Sequence, residues 1–584
     1  MDDGDTLLAT KICDVLPGNL QAVSNTYTIL EHMASDIVYR RHGLSTTTQD
    51  TTIALQKIQI LLQSLTDNDK QVQDFGITPV PLPPSATCMN QHDYDRIRND
   101  QVPRLNSSQQ QVYKTLMHRE KQLYFINSPA GYGKTYLINT FIASHAITDI
   151  ITVASTGIAG SLLLNGCTAH SAFGIPLRAV DNSAVCHLKP TSLSTARIKE
   201  CKIIVWDEVS TTNMYVFNAV DRLIQSIMKS HEIFGGKTMV FAGDYRQCLH
   251  IIPRATTAEI INTTIFNTTW WSNVMVLSLT MCMRINTDIH SDFAKLILNI
   301  GNNNALPHRD QKGKPYNPNP IKLSNRYAFH GSINNLIQWT YPTISTIRTT
   351  TEAIEAFNNC AILSPLTGIQ GESNTINRIG TMQINATATE MLPGRTHTLL
   401  SSDWICDDVA QQDAYTDEIL NSINQSGFPI YKLQLKINMP VILLRNYDKH
   451  RKLCNGTKLI VVKITKYLLT LRRAASPYDI VHLPRWNMYT STNLPFTFGR
   501  RQFPVQVAFA FTIHKSQGQS LRRVALFLPC PVFAHGQLYV ALSRATTPDG
   551  LKILLHTTST QGYTTSGLLW TQNIVLDAIL DFIA

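Results

Sequence analysis

At 584 residues, 43% apolar and 16% charged, the chain is too long for one hydrophobic core, since cores stop growing at about 250–300 residues. Its composition is normal for globular proteins, and no long low-complexity tract suggests a largely disordered chain. Lys and Arg outnumber Asp and Glu by 51 to 41, a formal charge of +10, which favours a polyanionic partner without separating nucleic acid from an acidic membrane surface. The 11 cysteines form no C-x-x-C pair, so neither a disulfide framework nor a zinc site is expected and a reducing compartment fits best. No apolar run reaches the ~20 residues of a membrane helix, and the acidic start Met1-Asp2-Asp3 is unlike a secretory or mitochondrial leader.

In chain order, residues 1–104 read as an N-terminal helical accessory region. Leu55, Ile58, Leu61, Leu62 and Leu65 recur at helical spacing over residues 52–65, and Pro79, Pro81, Pro83 and Pro84 stiffen a linker at 78–84. From Leu105 the texture changes. Short apolar runs at 123–126, 150–154, 203–206 and 239–242 alternate with helical or irregular stretches, the pattern of a parallel sheet covered on both faces. A second set at 361–364, 507–513, 524–528 and 551–555 predicts a second α/β lobe. Between its early and late strands, residues 432–504 carry short β-type runs and read as an inserted small barrel. The expected division is an accessory region at 1–104, a first lobe at 105–255, a second lobe at 256–431 and 505–584, and the barrel at 432–504.

Ser128-Pro129-Ala130-Gly131-Tyr132-Gly133-Lys134-Thr135 follows a strand and opens a helix over 134–144, the context that a phosphate-binding loop requires. Backbone N–H groups from Gly131 to Thr135 can cradle phosphates at the positive end of that helix. Lys134 would bridge the β and γ phosphates and Thr135 would hold Mg²⁺. The pattern G-x-x-x-x-G-K-[ST] fails only at its first place, where Ser128 stands for glycine and removes no ligand atom. After the strand at 203–206, Asp207 would bind Mg²⁺ through water and Glu208 would deprotonate the attacking water. Gln247, closing the next strand, stands where it could sense the γ phosphate. Each piece alone has a blander reading, an ordinary glycine turn or a solvated Asp-Glu pair, but their order favours an ATP site.

Together these motifs resemble Pif-type (petite integration frequency) DNA helicases of superfamily one, in particular the helicase part of Helitron transposases and related viral copies, over residues 105–556. The resemblance implies an α/β fold of two RecA-like P-loop lobes with parallel sheets, a small β-barrel inserted in the second lobe and the N-terminal helical region. It assigns adenine reading to Gln109 in Leu105-Asn106-x-x-Gln109, and nucleotide contacts to Pro129, Ala130, Tyr132, Gly133 and Gly518. DNA contacts fall to Thr156 and Gly157 of motif Ia, to His170, Ser171 and Phe173 in the next segment, and to Thr512, His514, Lys515 and Ser516 of motif V. Arg284 of motif IV and Arg544 of motif VI become arginine fingers. The implied activity is ATP-dependent, Mg²⁺-using translocation on single-stranded DNA, 5′ to 3′, in replication, recombination, repair, telomere maintenance or transposition. Single-stranded and tailed duplex DNA are the expected partners, the expected state is a monomer and the expected place a nuclear or viral replication compartment.

Four positions depart from the family pattern: Ser128, Ser155 where proline is usual, His250 where proline is common and Asn438 where glycine is frequent. Taken singly, His170 and His514 could be core histidines, Phe173 core packing, and Arg284 and Arg544 surface ion-pair partners. A DNA-stimulated clamp that does not translocate, or a DNA-binding protein with an impaired nucleotide site, are the rival functions. No His-x-His motif occurs, so nuclease chemistry is not assigned. Nine basic residues between Arg445 and Arg473 face only Asp448, and a second basic run extends from Arg500 to Arg523; either run taken alone reads as a solvated face, but the first, within the inserted barrel, is expected to track phosphates.

Overall fold

The computed structural model describes residues 89–582, apart from 177, 178, 180, 251, 253, 254, 286, 305–318, 369–379, 407–414, 426, 449, 450, 475, 493, 565 and 566. The helix expected at 52–65 and the linker at 78–84 lie outside these residues, as does Lys449 of the basic run. Among the described residues, no helix is long and apolar enough to cross a membrane.

Apolar five-residue runs buried along their whole length become strands covered on both faces. Strands β1 (Leu123–Asn127), β2 (Ile150–Ala154), β3 (Cys167–Thr168), β4 (Ile203–Asp207), β5 (Thr238–Gly243) and β6 (Met275–Ser278) form one parallel sheet in the order β3-β2-β4-β5-β1-β6. This is the first lobe, and two expected boundaries move. Strand β6 pairs with β1, so the lobe extends past residue 255 to at least Ser278. At the other end, the helix Gln91–Gln101 packs on the lobe. Its Tyr94 is buried with Leu137 and Phe141, and its Gln101 side chain accepts from Thr140 at 2.9 Å.

The second lobe has a four-stranded parallel sheet, with Cys360–Ser364 between Ala510–Thr512 and Arg523–Leu528, and Leu551–Leu555 on the outer side of the latter. A small antiparallel sheet of Asn319–Leu323, Leu569–Asn573 and Gly562–Tyr563 accompanies it. Both lobes belong to one compact unit, Met89–Pro342 with Asn359–Ala388 and Phe509–Ala584.

A second unit contains Thr343–Asn358 and Thr389–Ala508, so the insertion is wider than the expected 432–504. The reason is long-range pairing: His397–Leu400 pairs with Lys432–Leu435, and Ser402–Ile405 with Phe498–Gln502. Val505–Val507, expected in the second lobe, pairs instead with Pro440–Leu443. The β-rich unit is three antiparallel sheets. A five-stranded ladder ends at Ser476–Pro484 and Val505–Val507, and sheets of three and two strands stand beside it in sequence.

Here the departure at Asn438 finds its reason. Its φ is +68°, a left-handed conformation that glycine adopts freely and asparagine tolerates best among the rest. The side chain adds what glycine lacks, donating to the Arg348 carbonyl and accepting from Thr350 Oγ1, both at 3.0 Å. Three of the nine cations of the basic run 445–473 are engaged within the fold. Arg451 and Arg473 both engage Asp479, and Lys458 Nζ donates to the Phe357 carbonyl at 2.5 Å. The expected stripe of free cations is corrected at these three positions, where Arg451 and Arg473 share Asp479 and Lys458 ties its strand to the end of the helix Thr350–Phe357.

Candidate nucleotide site and nucleic-acid face

Strand β1 delivers the chain into the loop 128–133, and the helix Lys134–Ala143 leaves it. Gly131 and Gly133 have φ of +87° and +81°, which side-chain-bearing residues rarely adopt. Space is short as well: a Cβ on Gly131 would meet Arg284 Cβ at 2.7 Å, and one on Gly133 would meet Gln109 Nε2 at 2.3 Å. Ser128 is different. It is buried, its φ is not positive, and its N–H donates to the Gly243 carbonyl at 3.1 Å. Glycine's freedom is not needed there. Ser128→Gly is therefore expected to shift ATP affinity less than tenfold; a tenfold gain by nucleotide titration, ~1.4 kcal/mol, would show that the native loop is strained.

At the end of β4, Asp207 and Glu208 are both buried. Glu208 has φ +54°, a costly conformation for a non-glycine residue that tends to be retained where function needs it. Its N–H donates to Asp207 Oδ1 at 2.7 Å, which helps fix the turn. Lys134 Nζ lies 2.6 Å from Asp207 Oδ1 and 3.2 Å from Glu208 Oε1. Burial alone would lower the lysine's pKa, but the two carboxylates outweigh it and hold the ammonium charged. Burial pushes Asp207 upward, with Lys134 opposing.

Asp244, after β5, is the junction of the site. It is fully buried, and its Oδ2 accepts from Gln247 Nε2 at 3.2 Å and from the Tyr539 hydroxyl at 2.9 Å. Its Oδ1 accepts from the Arg246 backbone N–H at 3.2 Å. The same Tyr539 hydroxyl accepts from the Ala130 backbone N–H at 2.8 Å. One phenol thus joins the phosphate loop, the Gln247 segment and the second-lobe helix Gln537–Ser543. The sequence held Tyr539 and Asp244 only as letters within motifs; nothing in their spacing signals the bond.

Arg284 donates from a terminal nitrogen to the Ser543 carbonyl at 2.7 Å, and its backbone N–H donates to the Gly131 carbonyl at 2.9 Å. Arg544 is fully buried and gives its donors to oxygens of Val540, Ser543, Ser516 and Gln519. Burial first, and the neighbouring Arg284 charge second, pull its pKa down to about 10, while Glu208 acts the other way. Both guanidinium groups thus feel Glu208 electrostatically. Neither forms a surface ion pair.

Several assigned contacts need correction. Gln109 closes a capping box with Asn106, and its Nε2 reaches the Gly133 carbonyl at 3.4 Å, so its amide braces the loop. Phe173 is fully buried against Trp206, ring centroids 5.8 Å apart; it is core and not a base-stacking platform. Ser516 is buried, with its hydroxyl on the Ile513 carbonyl at 2.6 Å and its own carbonyl facing Arg544, which removes it from a DNA surface. Thr156 caps the helix Gly157–Leu162 through its hydroxyl. A Cβ on Gly518 would lie 3.8 Å from Ile158, placing that glycine beside motif Ia. His170, Ser171, Thr512 and His514 remain partly exposed and Lys515 exposed, on the segments where DNA contact is expected.

Two departures are also accounted for. Ser155 accepts from Trp206 Nε1 at 3.2 Å and shares a 2.6 Å hydrogen bond with Thr212, polar work that proline could not do. His250 bonds Thr263 Oγ1 at 2.7 Å, and burial pushes its pKa down to about 4.

Residues 104–311 match the family model described as PIF1-like helicase, and residues 418–464 match DNA helicase Pif1, 2B domain. The zebrafish (Danio rerio) protein named ATP-dependent DNA helicase PIF1 is 25% identical over 438 residues, covering 74% of this chain and 58% of that protein. The human protein of the same name is 23% identical over 456 residues, covering 77% and 61%. The chain thus spans about three fifths of the length of these curated relatives. Among solved structures, Pif1 helicase from Bacteroides in complex with ADP-AlF3 and ssDNA superposes with a TM-score of 0.56 at 20% identity, over 82% of this chain and 96% of that one. Pif1 helicase from Candida albicans gives 0.54 at 20% identity, over 82% and 98%. The shared fold is that of two RecA-like lobes with parallel sheets, and the two family matches cover the first lobe with the start of the second and part of the insertion.

Proposed function

We propose that the chain is a DNA helicase that couples ATP hydrolysis to movement along single-stranded DNA, 5′ to 3′, in replication, recombination or repair, in a nuclear or viral setting. One observation carries this reading: groups from both lobes converge on the phosphate loop. Lys134, Glu208 and Gln247 come from the first, Arg544 and Tyr539 from the second, with Arg284 on the segment between them.

The site also suits a nucleotide and its cation. Glu208 Oε2 and Gln247 Oε1 are buried without a hydrogen-bond partner among the described residues, and such groups in a native fold call for a ligand or a catalytic role. Thr135 and Asp207 are the residues that would hold Mg²⁺, which when bound would neutralise charge on the β and γ phosphate oxygens. Lys134 exchanges its carboxylate partners for phosphate oxygens. Glu208 takes the proton of the attacking water, and Gln247, steadied by Asp244, orients that water. Arg284 and Arg544 stabilise charge that develops in the transition state, a contribution of ~10³ to 10⁵ in rate for arginine fingers elsewhere.

Because those arginines lie beyond the first lobe, hydrolysis requires the cleft to be closed. The nucleic acid would lie across motif Ia and motif V, whose segments meet at Ile158 and Gly518. Strand displacement on duplexes with a 5′ or a 3′ tail tests the reading: unwinding of the 5′-tailed substrate is expected. DNA-stimulated hydrolysis with no displacement of either substrate would reduce the chain to a clamp.

A further inference from the structure

The insertion's three-stranded sheet has two unlike faces. One buries Ile405, Met488 and Phe498, and there Arg500 locks onto Asp403 through contacts of 2.8 and 2.7 Å. The other face follows from the register. Trp404 lies opposite Gly499 and Gly499 opposite Tyr489; one step along, Ser402 lies opposite Arg501 and Arg501 opposite Asn487. Successive residues of a strand alternate between faces, so the side chains of Trp404, Tyr489, Ser402, Arg501 and Asn487 share one surface with Gly499. It contains two aromatic groups and a cation, and no carboxylate.

Glycine in a strand interior often marks a close approach by another group, and here the group is the indole. A Cβ on Gly499 would fall 2.4 to 2.8 Å from Trp404 ring atoms. The ring therefore lies down on the strand, which only glycine permits. Tyr489, 55% exposed, stands nearly perpendicular to it, at 80° with centroids 5.9 Å apart. The indole thus has one face against the Gly499 backbone and is braced at an angle by Tyr489, while Trp404 stays partly exposed. Arg501 makes no ion pair among the described residues, and it adds its charge to the neighbourhood of Arg485.

We infer that this face, Trp404 with Tyr489, Asn487 and Arg501 on the Gly499 strand, is a second binding site for single-stranded nucleic acid, the indole stacking a base and Arg501 meeting its phosphate. Every base has a π face, so such stacking serves a motor that must accept any sequence. The absence of carboxylates suits a polyanion, and the second basic run of the sequence begins here. The proposal rests on the DNA-translocase reading for its ligand.

The test uses the full chain and fluorescently labelled oligo-dT titrated at several salt concentrations. Trp404→Ala is expected to weaken binding about five- to a hundredfold, and Trp404→Phe to restore most of the loss. Gly499→Ala, which lifts the indole without deleting it, should behave like Trp404→Ala. Arg501→Ala, a surface change with little risk to folding, should lower the slope of log affinity against log salt by about 0.7. If Trp404→Ala and Arg501→Ala, both folded by thermal melting, bind oligo-dT with native affinity and salt slope, the inference is overturned and the face is left to a protein partner. Failure of the translocase reading itself looks different: the unaltered chain would then show neither oligo-dT binding nor DNA-stimulated hydrolysis.

Discussion

Glu208→Gln is expected to hold ATP and DNA together while turnover falls at least about a hundredfold, since general-base catalysis contributes ~10² to 10⁴. The amide keeps the side chain's shape, and its oxygen can still face Lys134, which lies 3.2 Å from Oε1 in the native chain. What it cannot do is accept the water's proton. Single-turnover hydrolysis beside nucleotide and DNA titrations separates the steps: slow chemistry with undiminished binding is the expected result. Near-native turnover would transfer the base role to another group, and Asp207 would be the first to examine.

Lys134→Ala should abolish turnover by a different route. In the native chain the ammonium is the cation between two buried carboxylates. Its loss removes the phosphate contact and also leaves Asp207 and Glu208 facing each other. Breaking a buried pair by deleting one partner costs about 3–5 kcal/mol, so the variant is expected to melt at lower temperature as well as to lose activity. DNA binding should persist, because Thr512, His514 and Lys515 lie on a separate segment of the second lobe. Oligo-dT affinity measured below the variant's melting temperature checks this. Equal loss of DNA binding and hydrolysis in the folded variant would show that the two sites are not separable.

The nucleotide half of the site was legible in the sequence because its chemistry is local. A strand, a glycine turn, a lysine and a helix must follow each other within about fifteen residues, and the backbone fixes where each group points. The carboxylates after β4 were legible for the same reason. Strand β6 was not: Met275–Ser278 is half-exposed, an edge strand that lacks the wholly buried pattern of its neighbours. The limits of the insertion escaped because antiparallel pairing between His397–Leu400 and Lys432–Leu435 leaves no periodic mark that joins them. Phe173 illustrates the limit of motif transfer. A motif fixes a residue's place in the chain, but one turn of a five-residue helix decides whether the ring meets solvent or Trp206. The cations at 451 and 458 were visible as charge, while their partners Asp479 and the Phe357 carbonyl, 28 and 101 residues away, lay too far along the chain to be inferred.

The Tyr539 hydroxyl, held between the Ala130 N–H and Asp244, has a consequence for how the two lobes would part. Drawing the lobes apart would strip a partner from a part-buried amide and from a buried carboxylate at the same moment. In the proposed helicase that phenol would therefore act as a latch between the phosphate loop and the second lobe.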